Sequence, residues 1–391
     1  ATPWLYATPW ASARQCEEMG DALTEALNRR TEAARWLMTE RLPDWDLFYT
    51  VSGEVHSAIE GMWHGVDPDH PLHDHPSAPA AARAVGRVLD ALDHFVAVMT
   101  DAAAGVGAHV VAFSMGGMGP NQSDVPSMVL LPELLYRHAF GRPLLRLPAA
   151  WTGQPTSLPD PLRGRSRALA GDSWVPPESA TGRAKAAMIR RLPPDWRNVR
   201  ARRTEAGSDA HEGPSEMSVN WQPAVRCQPC WPQMTAFALP SFYDGRVRIN
   251  LQGREGSGLV ALDRYEAVCE EIEHVVRACR DPRSGEPVVE AVVRPGRVDP
   301  LALSPFDADL VFTWRGMAAA FEHPEHGLIG PVPLRRTGGH TGRHGVAYVS
   351  ASPPSPVSDH VRSSYDVVPT IIDLLGCGRP EGVSGTSLLT P

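Results

Sequence analysis

The strongest constraint on this chain is the alternation in its first third. Met19, Leu23 and Leu27, then Ala34 and Leu37, recur at helical spacing. That pattern predicts an amphipathic helix over 13–42, ended by Pro43. "WDLFYTV" (45–51) reads as a buried strand whose carboxyl end runs into Gly53-Glu54-Val55-His56. A second helix is predicted over 79–102 and a second strand over 108–114. Helix, strand, helix, strand is the rhythm of a parallel sheet with helices packed on it. The second strand, Val110-Val111-Ala112-Phe113, delivers the chain into a loop with three glycines, "SMGGMGPN". Such a loop would lie at the carboxyl edge of the sheet, where α/β proteins place their ligands. Yet Ser114-Met115-Gly116-Gly117-Met118 offers no carboxylate, imidazole or cysteine.

Between 115 and 245 the pattern weakens, as Pro, Gly, Arg and Trp become dense. Short helices are predicted at 131–139 and 179–191, and the stretch reads as an irregular insert or lid within a single domain spanning 1–391. Regular signals return with a strand, a turn at Tyr243-Asp244-Gly245 and an alternating strand through Val247, Ile249 and Leu251. A helix over 263–280, strands over 287–293, 307–314 and 345–352, and a closing helix over 366–376 complete the prediction. Gly376 stands at the C-cap of that last helix.

The net charge of −8, with both signs mixed along the chain, argues against a surface for a nucleic-acid duplex. No apolar run approaches the roughly 20 residues of a bilayer span, and "ATPWLYATPWAS" lacks the basic and apolar regions of a signal peptide. Six cysteines spread along the chain suit reduced thiols, so a cytoplasmic location is expected. Cys227 and Cys230 form a lone C-x-x-C without the second pair of a zinc ribbon, and plain thiols are the favoured reading.

Four constellations could carry chemistry. If 54–64 is helical, His56, Glu60 and His64 stand at i, i+4 and i+8 on one face, a workable half-site for zinc or a related ion. The alternative is a solvent-facing polar stripe with Ile59 and Met62 turned inward. Asp67, Asp69, His70, His73, Asp74 and His75 form a loop that reads first as solvated turns. His340 and His344 flank a glycine-rich turn and make a candidate third ligand from a distant part of the chain. Asp307 and Asp309 read as solvated residues at a strand start. Use of the glycine loop as a nucleotide anchor is disfavoured, since the G-K-[ST] ending of a phosphate loop is missing.

Several stretches together resemble the alkaline-phosphatase superfamily, in particular its sulfatase-like, type I phosphodiesterase and nucleotide-pyrophosphatase branch. They are "WDLFYTVSGEVHSAIEGMWH", "VVAFSMGGMGPNQSDVPSMVLLPELLYR", "AFALPSFYDGRVRINLQGRE", "IGPVPLRRTGGHTGRHGVAYVSASP" and "SYDVVPTIIDLLGCGRPEGVSGTSLL". The last is the most recognisable, with its D-x-x-P-T-x-x-D-L-L-G helix followed by G-x-S-L. The resemblance implies an α/β sandwich around a central mixed, mainly parallel sheet flanked by helices. It also implies two metal ions, usually zinc, and a Thr or Ser nucleophile seated on one of them.

The departures fall at the chemistry. The segment matching "FSMGGMG" normally reads S-D-H-G-M, with Asp and His as ligands, and Met115 and Gly116 stand in those two places. Neither suits a hard or borderline cation. His56 and Glu60 fall where the family has an Asp-x-x-x-His pair, and His340 matches a late histidine ligand. Glu54, His64, Asn121 and His344 are the residues placed to support them. The family's opening strand with its metal-binding Asp, and the nucleophile after it, have no counterpart in "ATPWLYATPWASARQC". Two functions follow as expectations. One is a diverged or partial phosphodiesterase-like hydrolase of small phosphoric or sulfuric esters, with one zinc or similar ion. The other is a non-catalytic binding or scaffolding module without a cofactor, serving a protein partner or a missing N-terminal half.

Overall fold

The computed structural model describes residues 9–145, 147, 151, 156–159, 227–294, 299–350 and 361–389. Its elements in chain order are α1 (Ala13–Trp36), α2 (Glu54–Met62), α3 (Ala78–Gly105), β1 (Val111–Phe113), β2 (Gly117–Pro120), α4 (Leu131–Phe140), β3 (Ala236–Leu239) and β4 (Gly245–Ile249). They continue with α5 (Tyr265–Arg277), β5 (Val289–Val293), β6 (Leu310–Trp314), β7 (Phe321–His323), β8 (Gly327–Ile329), β9 (Gly338–Gly342), β10 (Ala347–Val349) and α6 (Val367–Leu374). The helix predicted at 179–191 and the middle of the predicted lid lie outside the described residues. The chain divides into two compact units, Ala1–Asn121 with Arg336–Pro391, and Gln122–Arg335.

In the first unit α1, α2 and α3 share one core. Cys16, Met19, Ala58, Met62, Ala80, Ala81, Ala84, Val85 and Val88 are buried together, and Leu27, Ala34, Ala91 and Phe95 form a second cluster. The alanines of α3 recur at three- and four-residue spacing, so they line one face and let a neighbouring helix approach closely. Glu17 on α1 accepts from Arg83 and Arg87 of α3 along the solvent edge. After Trp36 the helix widens into a single π turn, Leu37–Arg41, before Pro43 stops it. α6 is entered through a capping box in which Ser363 Oγ accepts from Tyr365 N and Asp366 accepts from Ser363 N.

Two short antiparallel ladders complete this unit. β1 pairs with β10, from Val111↔Val349 to Phe113↔Ala347. β2 pairs with β9, joining Gly117 to Gly342 and Pro120 to Gly338 across a bulge. The fold is thus mixed α/β, but among the described residues every ladder between strands is antiparallel where a parallel sheet was expected. The segment 45–51 is a correction in itself. It forms no strand, and Leu47, Tyr49 and Val51 are 55%, 66% and 58% exposed. An apolar run fixes extended propensity, whereas burial needs a neighbouring strand to pair with.

The second unit carries a four-stranded antiparallel sheet in the order β3-β4-β6-β5 and a separate β7–β8 hairpin. Leu310, Phe312 and Trp314 alternate inward along β6, the period of a half-buried strand. Trp314 Nε1 donates to Ser127 Oγ at 2.7 Å. α4 starts with Pro132 in its first turn and stops at Gly141, whose φ of 64° is the left-handed conformation that closes a helix. Asp307 is exposed, but Asp309 is not solvated at all. Its carboxylate accepts from Ile249 N, from both Arg254 amino groups and from Tyr265 OH, all at 2.7–2.8 Å. A carboxylate with no exposed surface must be paired in this way. Cys227 and Cys230 are buried and form no disulfide, and burial pushes the Cys227 thiol upward. Among the described residues, no helix is long and apolar enough to cross a membrane.

Candidate metal centre

Helix α2 begins just after Gly53 and turns Ser57, Ala58, Gly61 and Met62 into the core. His56 and Glu60, one helical turn apart, therefore share a face, as predicted. The helix ends at Met62, and His64 lies in a following 3₁₀ turn, Trp63–Gly65. That change of pitch removes His64 from the ligand face.

His340 arrives from β9 at the other end of the chain. The ligand atoms of His56, Glu60 and His340 all lie within 4.8 Å of one another. Glu60 Oε1 is the shared point, 3.3 Å from His56 Nε2 and 3.8 Å from His340 Nε2. Donors held by a tetrahedral zinc ion at about 2.0–2.1 Å stand about 3.3–3.4 Å apart, so the His56–Glu60 spacing already fits one. The two imidazole rings are tilted at 51° with centroids 4.6 Å apart. The Glu60 side chain is buried, while His56 and His340 remain 42% and 35% exposed. The histidines thus form the solvent side of the cluster, the side from which an ion would enter.

The approach of β9 to α2 is fixed by backbone. Thr337 N donates to the Glu60 carbonyl oxygen at 3.0 Å. A Cβ on Gly338 would stand 2.2 Å from the Ile59 carbonyl oxygen, so only glycine lets the strand lie this close. Asn121 N donates to Thr337 O, and Asn121 Nδ2 donates to Gly338 O at 3.2 Å. His64 Nδ1 lies 3.4 Å from Thr337 Oγ1 and its Nε2 3.1 Å from Ser77 Oγ. Asn121 and His64 therefore act on the segment that carries His340. Burial, with the charges of His70, His75 and His73, pushes the His64 imidazole down to about 3.

The other sequence candidates separate. Glu54 is turned to Arg30, bonded at 2.7 Å, and to Ser52 Oγ at 2.9 Å. Burial works to raise its carboxyl, and these bonds outweigh it and hold it below the usual range. His344 and Met115 are exposed and outside the cluster. Gly116 faces open space, with nothing within 4 Å of where a Cβ would be. The loop of Asp67 to His75 is partly a correction. His70 is buried, with Nε2 3.2 Å from Thr337 O and Nδ1 accepting from Leu72 N, while Asp69 and Asp74 are exposed as expected.

One residue was missed in the sequence. Arg336, in "RRTGGH", is paired through Nη1 with Glu60 Oε1, the same oxygen that faces both histidines. Burial acts to raise the Glu60 carboxyl, but the His56 bond and the Arg336 charge overcome it and hold the group at about 2. The available signal was the carboxylate itself, since a buried Glu demands a cation and two arginines stand just before His340. No protein-family model, curated protein or solved structure matches the chain.

Proposed function

We propose that His56, Glu60 and His340 hold one divalent metal ion, zinc or a similar ion. On this reading the chain is a diverged relative of the alkaline-phosphatase superfamily, acting as a phosphodiesterase-like hydrolase of small phosphoric or sulfuric esters. The convergence of those three ligand atoms within 4.8 Å, from a helix and a strand remote in sequence, carries the reading. Two imidazoles and one carboxylate are a donor set of catalytic zinc sites, which keep a further position open. A divalent ion there supplies Lewis acidity, polarising an ester oxygen and making water a usable nucleophile at neutral pH. The protein's own part is to hold that donor set on α2 and β9, with Arg336 offering the positive charge that an anionic ester requires. The mixed, mainly parallel sandwich of that superfamily belongs to the same proposal.

A second reading is favoured by one observation, the Arg336–Glu60 pair. It neutralises the carboxylate from within the protein, as a non-catalytic binding module that keeps the fold would do. Ester hydrolysis separates the two. Zinc-supplemented protein is assayed on a chromogenic phosphomonoester, phosphodiester and sulfate ester. Turnover that disappears in Glu60→Gln and His340→Ala supports the hydrolase, and equal rates in all three chains contradict it.

A further inference from the structure

The β7–β8 hairpin of the second unit is closed by a side chain that does so only while uncharged. His323, the last residue of β7, accepts at Nδ1 from Glu325 N and from His326 N, both at 3.1 Å. Those amides form the turn, which runs on into Gly327 at a φ of 66°, the left-handed region that favours glycine. An imidazole nitrogen that accepts carries no proton, so the ring is neutral with its proton on Nε2. Protonating Nδ1 sets a donor against two donors and breaks both bonds. An Asn side chain closes turns in the same way, through the amide two residues on, and does not titrate.

The surroundings press in the same direction. His323 is buried, and His326 is stacked on it with ring centroids 4.6 Å apart at 18°. His138 of α4 meets His326 edge-on at 5.5 Å. Each charge added to such a group meets both desolvation and its neighbours' repulsion. Burial, with the charges of His138 and His274, holds the His323 imidazole below its ordinary range against Glu325 and the Val275 backbone. Burial, with His323, His138 and Arg137, does the same for His326 against Glu325. His326 Nε2 is buried with no hydrogen-bond partner among the described residues. Of the acids around the group, Glu325 is exposed in the turn, Glu271 lies 2.9 Å from His138 Nε2, and Glu133 is paired with Arg137 at 2.7 Å.

The strands themselves are held by groups that do not titrate near neutral pH. Arg137 Nη1 donates to His326 O and Leu328 O, both at 2.9 Å. The backbones of Glu322 and Arg280 pair at 2.8 and 3.0 Å. Acid therefore acts on the turn and leaves the base of the hairpin anchored.

We infer that the β7–β8 turn is an acid-opened latch: protonation of His323 at Nδ1 releases the Glu325 and His326 amides and loosens the histidine stack, while β7 stays anchored at Arg280. The open turn binds a proton that the closed turn refuses, so opening grows as pH falls below the ordinary histidine value of about 6.5.

The test is amide hydrogen exchange of the full chain at pH 7.5, 6.5 and 5.5, corrected for the intrinsic rate of each amide. Wild type is compared with His323→Asn, which keeps an acceptor over the turn and cannot take up the proton. His323→Asp takes the place of the asparagine variant should that one fail to fold. In wild type the opening constant of the Glu325 and His326 amides rises about fivefold from pH 6.5 to 5.5, the factor for one proton taken up near 6.5. The Val247 and Ile249 amides of β4 do not follow, and in His323→Asn the turn stays level across the range. No rise in wild type, or an equal rise in the variant, would overturn the inference. A rise shared by the β4 amides would overturn it as well, since the unit would then be opening as a whole.

Discussion

The Thr337 amide donates to the Glu60 carbonyl oxygen at 3.0 Å, so the strand bearing His340 is tied to α2 at the residue that supplies the carboxylate. The geometry of the His56, Glu60 and His340 cluster is therefore a property of one backbone junction. Gly338 is its tightest point, since a Cβ there would fall 2.2 Å from Ile59 O and 2.8 Å from the Ile59 carbonyl carbon. Gly338→Ala forces β9 off the helix. It is expected to cost about 1–3 kcal/mol in urea unfolding, as overpacking does, and to abolish zinc binding by displacing His340.

Gly116 supplies the contrasting case. It occupies one of the two places where the resemblance calls for a ligand, and open space surrounds it. Gly116→Ala is expected to change stability by no more than about 0.5 kcal/mol, as substitutions away from packing do. Zinc stoichiometry in that variant should equal wild type. A loss of bound zinc would show that the glycine loop belongs to the site.

The His64 imidazole makes stability depend on pH. Its folded-state value, about 3, lies below the ordinary 6.5, because burial and the neighbouring His70, His75 and His73 disfavour its charge. Between those two values the unfolded chain binds a proton that the folded chain refuses, so the folded state loses stability as pH falls. The contribution is whole above about pH 6.5 and declines progressively towards pH 3. Urea midpoints measured at pH 7.5 and 5 should therefore drop with acidity, and more gently in His64→Gln, which cannot titrate. An identical slope in the variant would place the acid sensitivity elsewhere.

In the second unit, Asp309 anchors Arg254, Tyr265 and the Ile249 amide. Asp309→Asn leaves the Arg254 charge buried with less compensation and is expected to cost about 3–5 kcal/mol. Asp309→Leu combined with Arg254→Met removes both charges and should recover part of that loss in the same urea experiment. Zinc binding at the first unit is the internal control.

How much of this was legible in the sequence follows from what each pattern encodes. Helical spacing is local, and it placed α1, α3, α4 and α5 close to where they lie. The same spacing put His56 and Glu60 on one face, the glycine-rich turn marked His340 and His344 as candidates for a third ligand, and the resemblance singled out His340. Pairing is non-local. Nothing in "WDLFYTV" says whether a neighbour strand lies beside it, so the buried strand predicted there is an irregular segment with Leu47, Tyr49 and Val51 exposed. Asp309 failed for a related reason, since its partners Arg254 and Tyr265 lie far off in sequence and only the fold brings them together. Arg336 was within reach, because a carboxylate one turn from His56 on a helix packed into a core requires a cation.

The most direct measurement is the metal content of the purified chain by elemental analysis, with His340→Ala purified alongside. About one zinc or similar divalent ion per chain is expected from the three-donor set, with its loss in the variant. A folded wild-type chain without stoichiometric metal would contradict it, and Arg336 would then be the permanent partner of Glu60.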